Sequence, residues 1–588
     1  MYRFIYRLVI HPTYAQEISE AAVRDGSTNR ATQSWANLGA AGAHVGNIAR
    51  DFESIMAVAG WSNYVEPYTL PLSFRDGDGR IHPIDFPILL PHEMLHAFYK
   101  LNPEQFFDVW VGSDGVRGIL EFWERSFEHM PFLRNHPYAA QILETPSLSI
   151  PYRLWGDEAP VSKHHGLGLF SISSCLTSKP SMLSRLLMFL YIAKQLQSFD
   201  EIWDVITWSL TCCAEGVMPS RDHLRQRYTA GSGARFRHAG EEIAGGSKFF
   251  LTQVVGDIKH LCETFGFDSA YHKEGICFLC RATRSRGLMS AFDYRTTAGW
   301  TMSFTLHEVY MRDTGRHLKV TRLPGFNLGM LQLDMMHILA LGLLQVVIGC
   351  TLWELCASDF FLPDSTGPWK ERFSAQLLLA FHDFKEFCRT NGISESQRPF
   401  TVGRLSLTNL GDRPLFKGKA ANTLKVAKWL CQICISISNA DPTSDRKRAR
   451  SACLWGYVQF VDICRCASRW LTDSEVNALE ECRQAALFGH SILASLANSG
   501  AIPRNLWATK PKCHYFDHLA RKAQRERLNP CNHWVFCDED FIGRIVTIVR
   551  HVGGSSRRLL AASLRYLVRM HLAMGKFRGS VPVIDSIA

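Results

Sequence analysis

Three acidic residues each end an apolar segment of the chain. Asp157 follows Tyr-Arg-Leu-Trp-Gly, Asp257 follows Phe-Leu-Thr-Gln-Val-Val-Gly, and Glu539 follows Trp-Val-Phe-Cys-Asp. A carboxylate at the tip of a buried strand is costly unless a positive charge, usually a metal ion, neutralises it. If these three carboxylates converge, they have the ligands to hold two Mg²⁺ ions, an arrangement that drives phosphodiester chemistry. The positions of the three residues along the chain do not show whether their side chains converge in the folded protein.

A second type of metal site is indicated by the pair Cys277-Phe-Leu-Cys280. Such a turn presents two thiolates to one tetrahedral Zn²⁺, but it supplies only half of the ligands. No second Cys-x-x-Cys follows at zinc-ribbon spacing, and the pair Cys431 and Cys434 lies in a predicted helix. The alternative is two cysteines packed in a core.

Histidines offer the missing zinc ligands. Asp334 and His337 stand three residues apart at a predicted helix start, so they share one face. One interpretation is a helix cap followed by a core histidine, and the other makes His337 a zinc ligand that completes the cysteine pair. His514 and His518 are four residues apart on a predicted helix, the spacing of a metal pair, although core or surface histidines also fit.

Composition indicates a folded protein with several structural regions. The chain has 588 residues, of which 46% are hydrophobic and 20% charged, so it is too long for one ordinary core. The net charge of +10 favours a polyanionic partner such as nucleic acid. Eighteen cysteines are too few for a disulfide scaffold of this length, and the N-terminus lacks a secretory hydrophobic region, so we expect reduced thiols and an intracellular location.

The elements that must position these residues change character along the chain. Short apolar runs separated by turn signals predict strands first, and the third of them also fits a helix. A helix over 198–215 and a strand ending at Asp257 follow, which is the opening order of a mixed α/β sheet. The predicted strands are 150–157, 166–174, 186–193 and 249–255.

Beyond about residue 335 the chain reads as helical. The segment 335–355 approaches the length of a bilayer span, but it carries a histidine in its first turn, and we predict a buried core helix there. Amphipathic spacing predicts further helices over 369–390, 421–438, 449–471, 474–497 and 541–574, the last interrupted near Gly553.

Basic residues near the third acid suit a nucleic-acid backbone, although solvated helix faces explain any one of them equally well. The residues chosen as DNA contacts are Arg544, Arg550, Arg557 and Arg558.

Taken in order, four motifs resemble the catalytic region of CACTA-type (En/Spm-like) DDE DNA transposases. They are Gly-Asp157-Glu-Ala-Pro-Val, Val-Val-Gly-Asp257 with the cysteine pair about twenty residues on, Leu-Asp334-Met-Met-His337, and His514-Tyr-Phe-Asp-His518 followed by Trp-Val-Phe-Cys-Asp-Glu539. The run Asp538-Glu539-Asp540 leaves the choice of the third acid open. The family's N-terminal DNA-binding module is not recognisable in this chain.

The resemblance implies a mixed α/β, predominantly helical protein, with a ribonuclease-H-like core interrupted by a large all-α insertion. The catalytic and Mg²⁺-binding residues would be Asp157, Asp257 and Glu539. Zn²⁺ would be held by Cys277, Cys280 and His337, with His518 or Asp334 as the fourth ligand. The implied regions are a mostly helical lead-in (1–147), the first part of the core (148–275), a zinc-stabilised segment (276–340), a helical insertion (341–510) and a C-terminal helical part of the core (511–588).

The resemblance also implies a function. It is a nuclease and strand-transfer activity that uses two Mg²⁺ or Mn²⁺ ions and a structural Zn²⁺ on DNA, both transposon ends and target. It further implies a nuclear location, a homo-oligomer and no membrane. Two rival hypotheses stay open: a catalytically inert, transposon-derived DNA-binding or scaffold protein, and an unrelated helical interaction protein in which the three acids are caps or surface groups.

Overall fold

Seven strands form one mixed sheet within the part of the chain that the structure describes. The computed structural model describes residues 12–28, 30–44, 47–48, 51, 65–76, 78–177, 182–269, 271–285, 287–552 and 556–574. The strands are β1 (Tyr68–Arg75), β2 (Ile81–Ile88), β3 (Ser149–Pro160), β4 (Gly166–Ser174), β5 (Leu186–Ile192), β6 (Lys248–Gly256) and β7 (Leu331–Leu333).

The order of strands in the sheet is β1-β2-β5-β4-β3-β6-β7. Neighbours from β1 to β3 pair antiparallel, whereas β6 and β7 run parallel to β3. The four strands predicted from apolar runs are all present, and the ambiguous third run is β5, in which every residue is buried. Burial on both faces explains its ambiguity, because a strand covered on both sides loses the alternating pattern.

Short helices dominate the first half of the chain. They are α1 (Pro12–Arg24), α2 (Arg30–Ala36), α3 (Leu38–Ala41), α4 (Pro91–Leu101), α5 (Pro103–Trp110), α6 (Gly115–His129), α7 (Pro131–Arg134), α8 (Ala139–Glu144), α9 (Asp200–Glu215), α10 (Ala234–His238), α11 (Ile258–Thr264) and α12 (His307–Asp313).

Long helices make up most of the second half. They are α13 (Leu344–Ala357), α14 (Trp369–Thr390), α15 (Ala420–Ala440), α16 (Asp445–Cys466), α17 (Asp473–Ser499), α18 (Pro511–Glu526), α19 (Phe536–Val552) and α20 (Leu559–Ala573). The mixed α/β, mainly helical class predicted from the sequence is therefore present.

The hairpin β1–β2 was not predicted, because the lead-in region reads as helical and its strands contain prolines. Pro83 and Pro87 lie in β2, and a proline in a strand normally argues for an edge position. Here β2 pairs with β5 only at Ile88, so most of that side of β2 is open and needs no proline N–H. The lead-in region thus adds two strands to the sheet.

The apolar segment after β7 is a core helix. A π-helical stretch, Met336–Leu343, runs directly into α13, and together they are long and apolar enough to cross a membrane by length and composition. However, 83% of the most apolar window is buried inside the protein. This burial agrees with the prediction of a core helix.

Helices cover both faces of the sheet near the ends of β3 and β6. Phe170 of β4 contacts Trp203 of α9 and His260 of α11 on one face. On the other face α19 packs on β3, and Tyr566 of α20 donates a hydrogen bond to the backbone of Arg185 just before β5. Because successive strand residues point to opposite faces, Gly156 faces α11 and Asp157 faces α19.

Candidate active site and metal centres

Asp157 and Asp257 lie towards the same end of two neighbouring central strands of the sheet. The parallel strands β3 and β6 pair Trp155 with Val255, and each acid follows two residues later. Gly156 lies between Trp155 and Asp157, and Gly256 lies between Val255 and Asp257. A Cβ atom at Gly256 would lie 3.4 Å from the carbonyl oxygen of Gly156, so the backbones approach closely here. The strand register therefore brings the first two predicted acids side by side.

Asp257 also begins helix α11. Its Oδ1 accepts a hydrogen bond from the backbone N–H of His260 at 2.6 Å, the geometry of a helix N-cap. The cap fixes the carboxylate at the strand end, next to Asp157. Its negative charge is one of the causes of the raised pKa of Asp157 described below.

Glu539 reaches the same site from the first turn of α19. Ligand atoms of Asp157, His337 and Glu539 all lie within 4.8 Å of one another. Nε2 of His337 is 3.5 Å from Oε1 of Glu539. Three segments that are distant in sequence thus converge at Asp157, three residues before the end of β3.

The structure distinguishes the three acids of the run 538–540. Asp538 is fully buried and pairs with Arg153 and Arg185, each at 2.8 Å. Asp540 points to the surface and pairs with Arg544 at 2.7 Å. Successive helical residues are turned by about 100°, so only Glu539 of the three faces the site.

The carboxylates repel one another in this site. Burial raises the pKa of Asp157 to about 8, with further contributions from the nearby charges of Glu539 and Asp257. Burial also raises the pKa of Glu539. Such a cluster of half-buried acids is stable when a cation neutralises it, and carboxylate oxygens are the ligands that Mg²⁺ and Mn²⁺ prefer. The residues therefore fit a divalent metal site.

His337 belongs to this acidic site, where the sequence interpretation assigned it to zinc. Its Nδ1 lies 2.7 Å from Oδ2 of Asp334, and its Nε2 faces Glu539. Burial disfavours the charged ring, but the hydrogen bond to Asp334 and the charges of Asp334 and Glu539 outweigh it and raise the pKa of His337. Spacing showed that Asp334 and His337 share a helix face but not which neighbours that face contacts.

Lys512 is a cation near the site that the sequence analysis missed. Its Nζ donates to the backbone carbonyl of His337 at 2.6 Å. Burial lowers its pKa, whereas the charges of Asp257 and Asp334 act in the opposite direction. No motif surrounds Lys512, and its role depends on the packing of α18 against the π-helical stretch.

A second cluster contains two cysteines and two histidines. Cys277, Cys280, His514 and His518 are all buried, and their ligand atoms lie within 4.8 Å of one another. Sγ of Cys280 is 3.3 Å from Nε2 of His514 and 3.2 Å from Nε2 of His518. Ligands about 2.0–2.3 Å from a tetrahedral Zn²⁺ are separated by similar distances, so this donor set fits zinc.

The ring of His514 is oriented by a further contact. Its Nδ1 lies 3.2 Å from the carbonyl oxygen of Ala291, which leaves Nε2 directed at the cysteines. His514 therefore takes the place that the sequence interpretation gave to His337, and of its two candidates for the fourth ligand His518 lies in the cluster, whereas Asp334 contacts His337. The four-residue spacing of the two histidines was the signal for this pair.

Two of the four arginines chosen as DNA contacts are engaged within the protein. Arg550 donates to the carbonyl oxygens of Pro160 and Val161, both at 3.0 Å, and Arg544 pairs with Asp540. Arg557 and Arg558 are exposed just before α20. Of the four, Arg544 is half-buried, whereas Arg550, like the last two, is an exposed residue.

No family model matches the chain, and no curated protein matches it.

Proposed function

We propose that the protein is a divalent-metal-dependent DNA nuclease and strand-transfer protein of the DDE transposase type. The observation that carries this proposal is the position of three acids from segments 100 and 282 residues apart: ligand atoms of Asp157 and Glu539 lie within 4.8 Å of each other, and Asp257 follows the strand that pairs with β3. The resemblance of the sequence motifs to CACTA-type transposases names the same three residues. The cofactor would be Mg²⁺ or Mn²⁺.

The topology supports the same class. A ribonuclease-H-like core with a large helical insertion requires the first two acids on adjacent strands and the third on a returning helix. In this protein β3 and β6 are adjacent and parallel, α13 to α17 intervene, and α19 returns to pack on β3. The β1–β2 hairpin adds two further strands beside β5.

Each residue has a separate role in this proposal. Asp157 would supply oxygens to both metal ions, and Asp257 and Glu539 would each supply oxygens to one of them. Two bound Mg²⁺ ions would activate a water or a DNA 3′-hydroxyl and stabilise the leaving oxygen. His337 lies beside Glu539 and orients or balances the charge of that carboxylate.

We further propose a structural Zn²⁺ at Cys277, Cys280, His514 and His518. The cysteines lie about twenty residues after Asp257, and the histidines lie on α18, which leads towards Glu539. A zinc ion would therefore tie the segment after the second acid to the segment before the third.

The activity is tested by nicking of supercoiled DNA in Mn²⁺ or Mg²⁺. Asp157→Asn and Asp257→Asn should abolish nicking while leaving the protein folded. Glu158→Gln is the matched control, since Glu158 adjoins Asp157 but faces the opposite side of the sheet and should retain activity. Unchanged nicking in Asp157→Asn would refute the assignment. Salt-sensitive DNA binding without any metal-dependent nicking would instead favour the inert DNA-binding alternative.

The zinc proposal is tested by substituting Co²⁺ and recording its visible spectrum. A site with two thiolates gives sulfur-to-cobalt charge-transfer bands, which should disappear in Cys280→Ser. Cys466→Ser is the control, because Cys466 is exposed and lies outside the cluster. Identical spectra for both variants would contradict the proposal.

A further inference from the structure

A third group of metal-ligating side chains shares no residue with the two sites described above. It consists of His96 on α4, His238 at the end of α10, and Glu241 three residues later. Their ligand atoms lie within 4.8 Å of one another. Glu241 is held by both histidines: its Oε1 is 2.9 Å from Nδ1 of His238, and its Oε2 is 3.3 Å from Nε2 of His96.

His96 is the residue that points to a ligand. It is 1% exposed, its Nε2 lies 3.3 Å from Oε2 of Glu241, and neither ring nitrogen makes a well-oriented hydrogen bond among the described residues. Burial lowers the pKa of His96, and the nearby charge of Glu241 opposes this effect. Buried polar groups almost always have a partner, and a neutral imidazole beside a carboxylate is suited to a metal ion.

The ammonium group of Lys100 is a cation that already binds the carboxylate of Glu241. Its Nζ lies 2.9 Å from Oε2 of Glu241, one turn of α4 away from His96. The lysine side chain is partly exposed, so it can swing into solvent and release the carboxylate. Lys100 would therefore compete with a metal ion for Glu241 without blocking the two histidines.

We propose that His96, His238 and Glu241 form a binding site for a transition-metal ion of the zinc class. Two imidazoles and one carboxylate are a donor set that Zn²⁺ accepts, whereas Mg²⁺ prefers oxygen ligands alone. Three protein ligands leave the fourth tetrahedral position for water. The inference depends on this cluster alone and not on the proposed DNA-cleaving activity.

The site joins α4 to the segment that leads into β6. Glu242, next to Glu241, forms a β-bridge with Val217, and the N–H of Ile243 donates to the carbonyl oxygen of Gly216. Strand β6 begins at Lys248 and ends beside Asp257. A bound metal would therefore fix the start of the strand that carries the second acid at its end.

The test counts Zn²⁺ ions bound per chain by calorimetric titration of the metal-free full-length protein. The variants are Glu241→Gln and His238→Ala, both at partly exposed positions that tolerate substitution better than the buried His96. Each should lose one bound ion relative to the wild type, while the sulfur-to-cobalt bands of the cysteine site stay unchanged. His382→Ala, an exposed histidine on α14, is the control and should bind as the wild type does.

Lys100→Met sharpens the test, because it removes the competing ammonium group. We expect it to bind zinc at this site more tightly than the wild type, by about two- to fivefold, because a partly exposed ion pair no longer has to be broken. Equal stoichiometry and affinity in the wild type, Glu241→Gln and His238→Ala would overturn the proposal. Weaker zinc binding in Lys100→Met would also contradict it.

Discussion

Asp334 accepts a hydrogen bond on Oδ1 from the backbone N–H of Val535, 3.1 Å away and 201 residues later in the chain. Its other oxygen accepts from the N–H of His337 at 2.8 Å and contacts Nδ1 of the same ring. A single buried carboxylate thus caps the helix after β7, orients His337 and anchors the turn before Glu539. Asp334 is a positioning residue for the acidic site.

Asp334→Asn should weaken both stability and activity. An asparagine has one acceptor oxygen and an amide that donates, so it cannot serve Val535 and both groups of His337. Leaving buried donors unsatisfied costs about 1–3 kcal/mol of the free energy of unfolding, measured by urea denaturation. The nicking rate should fall and the pKa of His337, followed by NMR, should drop because its negative partner is gone.

Asp313→Asn serves as the control for this change, because Asp313 is an exposed residue paired with Arg312. A surface ion pair of this kind contributes little, about 0–1 kcal/mol. If Asp334→Asn behaves like Asp313→Asn in all three measurements, the positioning role of Asp334 is excluded.

The metal-free protein should lose stability as the pH rises through the range set by Asp157. The ordinary pKa of its carboxyl group is 3.8, and in the folded protein it is about 8. Between these values the folded state holds a proton that the unfolded chain has released, so increasing pH favours unfolding. The contribution is complete below the lower value and is lost as the pH passes through the upper one.

Asp157→Asn removes this titration and provides the measurement. Near pH 9, thermal or urea unfolding should show the metal-free variant to be more stable than the wild type by about 1–3 kcal/mol, after allowance for solvent screening. The difference should shrink towards pH 4, and Mn²⁺ should stabilise the wild type more than the variant. A difference that does not vary with pH would contradict the raised pKa of Asp157.

Asp538→Asn should destabilise the fold strongly. Asp538 is the common partner of Arg153 and Arg185, and all three side chains are buried. Breaking a buried ion pair by removing one partner costs about 3–5 kcal/mol, because the remaining charges are left without compensation. Asp540→Asn on the same helix turn should change the free energy of unfolding by less than about 1 kcal/mol. Equal denaturation midpoints for the two variants would argue against this network.

Local patterns predicted the elements that carry the first two acids. Apolar runs ended by Gly-Asp marked β3 and β6, but nothing in the sequence showed that these two strands are parallel neighbours. The i,i+4 spacing of His514 and His518 marked one half of the cysteine–histidine cluster. These signals are local, and they reflect the side-chain periods of strands and helices.

Contacts between segments that are distant in sequence determine which residues belong to each site, and local sequence patterns do not reveal such contacts. The choice among residues 538–540 depended on which face of α19 meets the sheet, and the placement of His337 depended on the neighbours of its helix face. His96 lies more than a hundred residues from Glu241, so no local pattern joins them. The prolines of β2 argued against a strand in the sequence analysis. The structure tolerates them because most of the side of β2 that faces β5 is unpaired.

The comparison of Glu539→Gln with Asp540→Asn in Mn²⁺-dependent DNA nicking tests the central claim most directly. Both variants replace one carboxylate by an amide in the same turn of α19, but only Glu539 faces Asp157 and His337. Asp540→Asn should nick at the wild-type rate, and Glu539→Gln should be slower by at least about a hundredfold, because the metal site loses a ligand and its geometry. Wild-type nicking with unchanged metal dependence in Glu539→Gln would contradict the account.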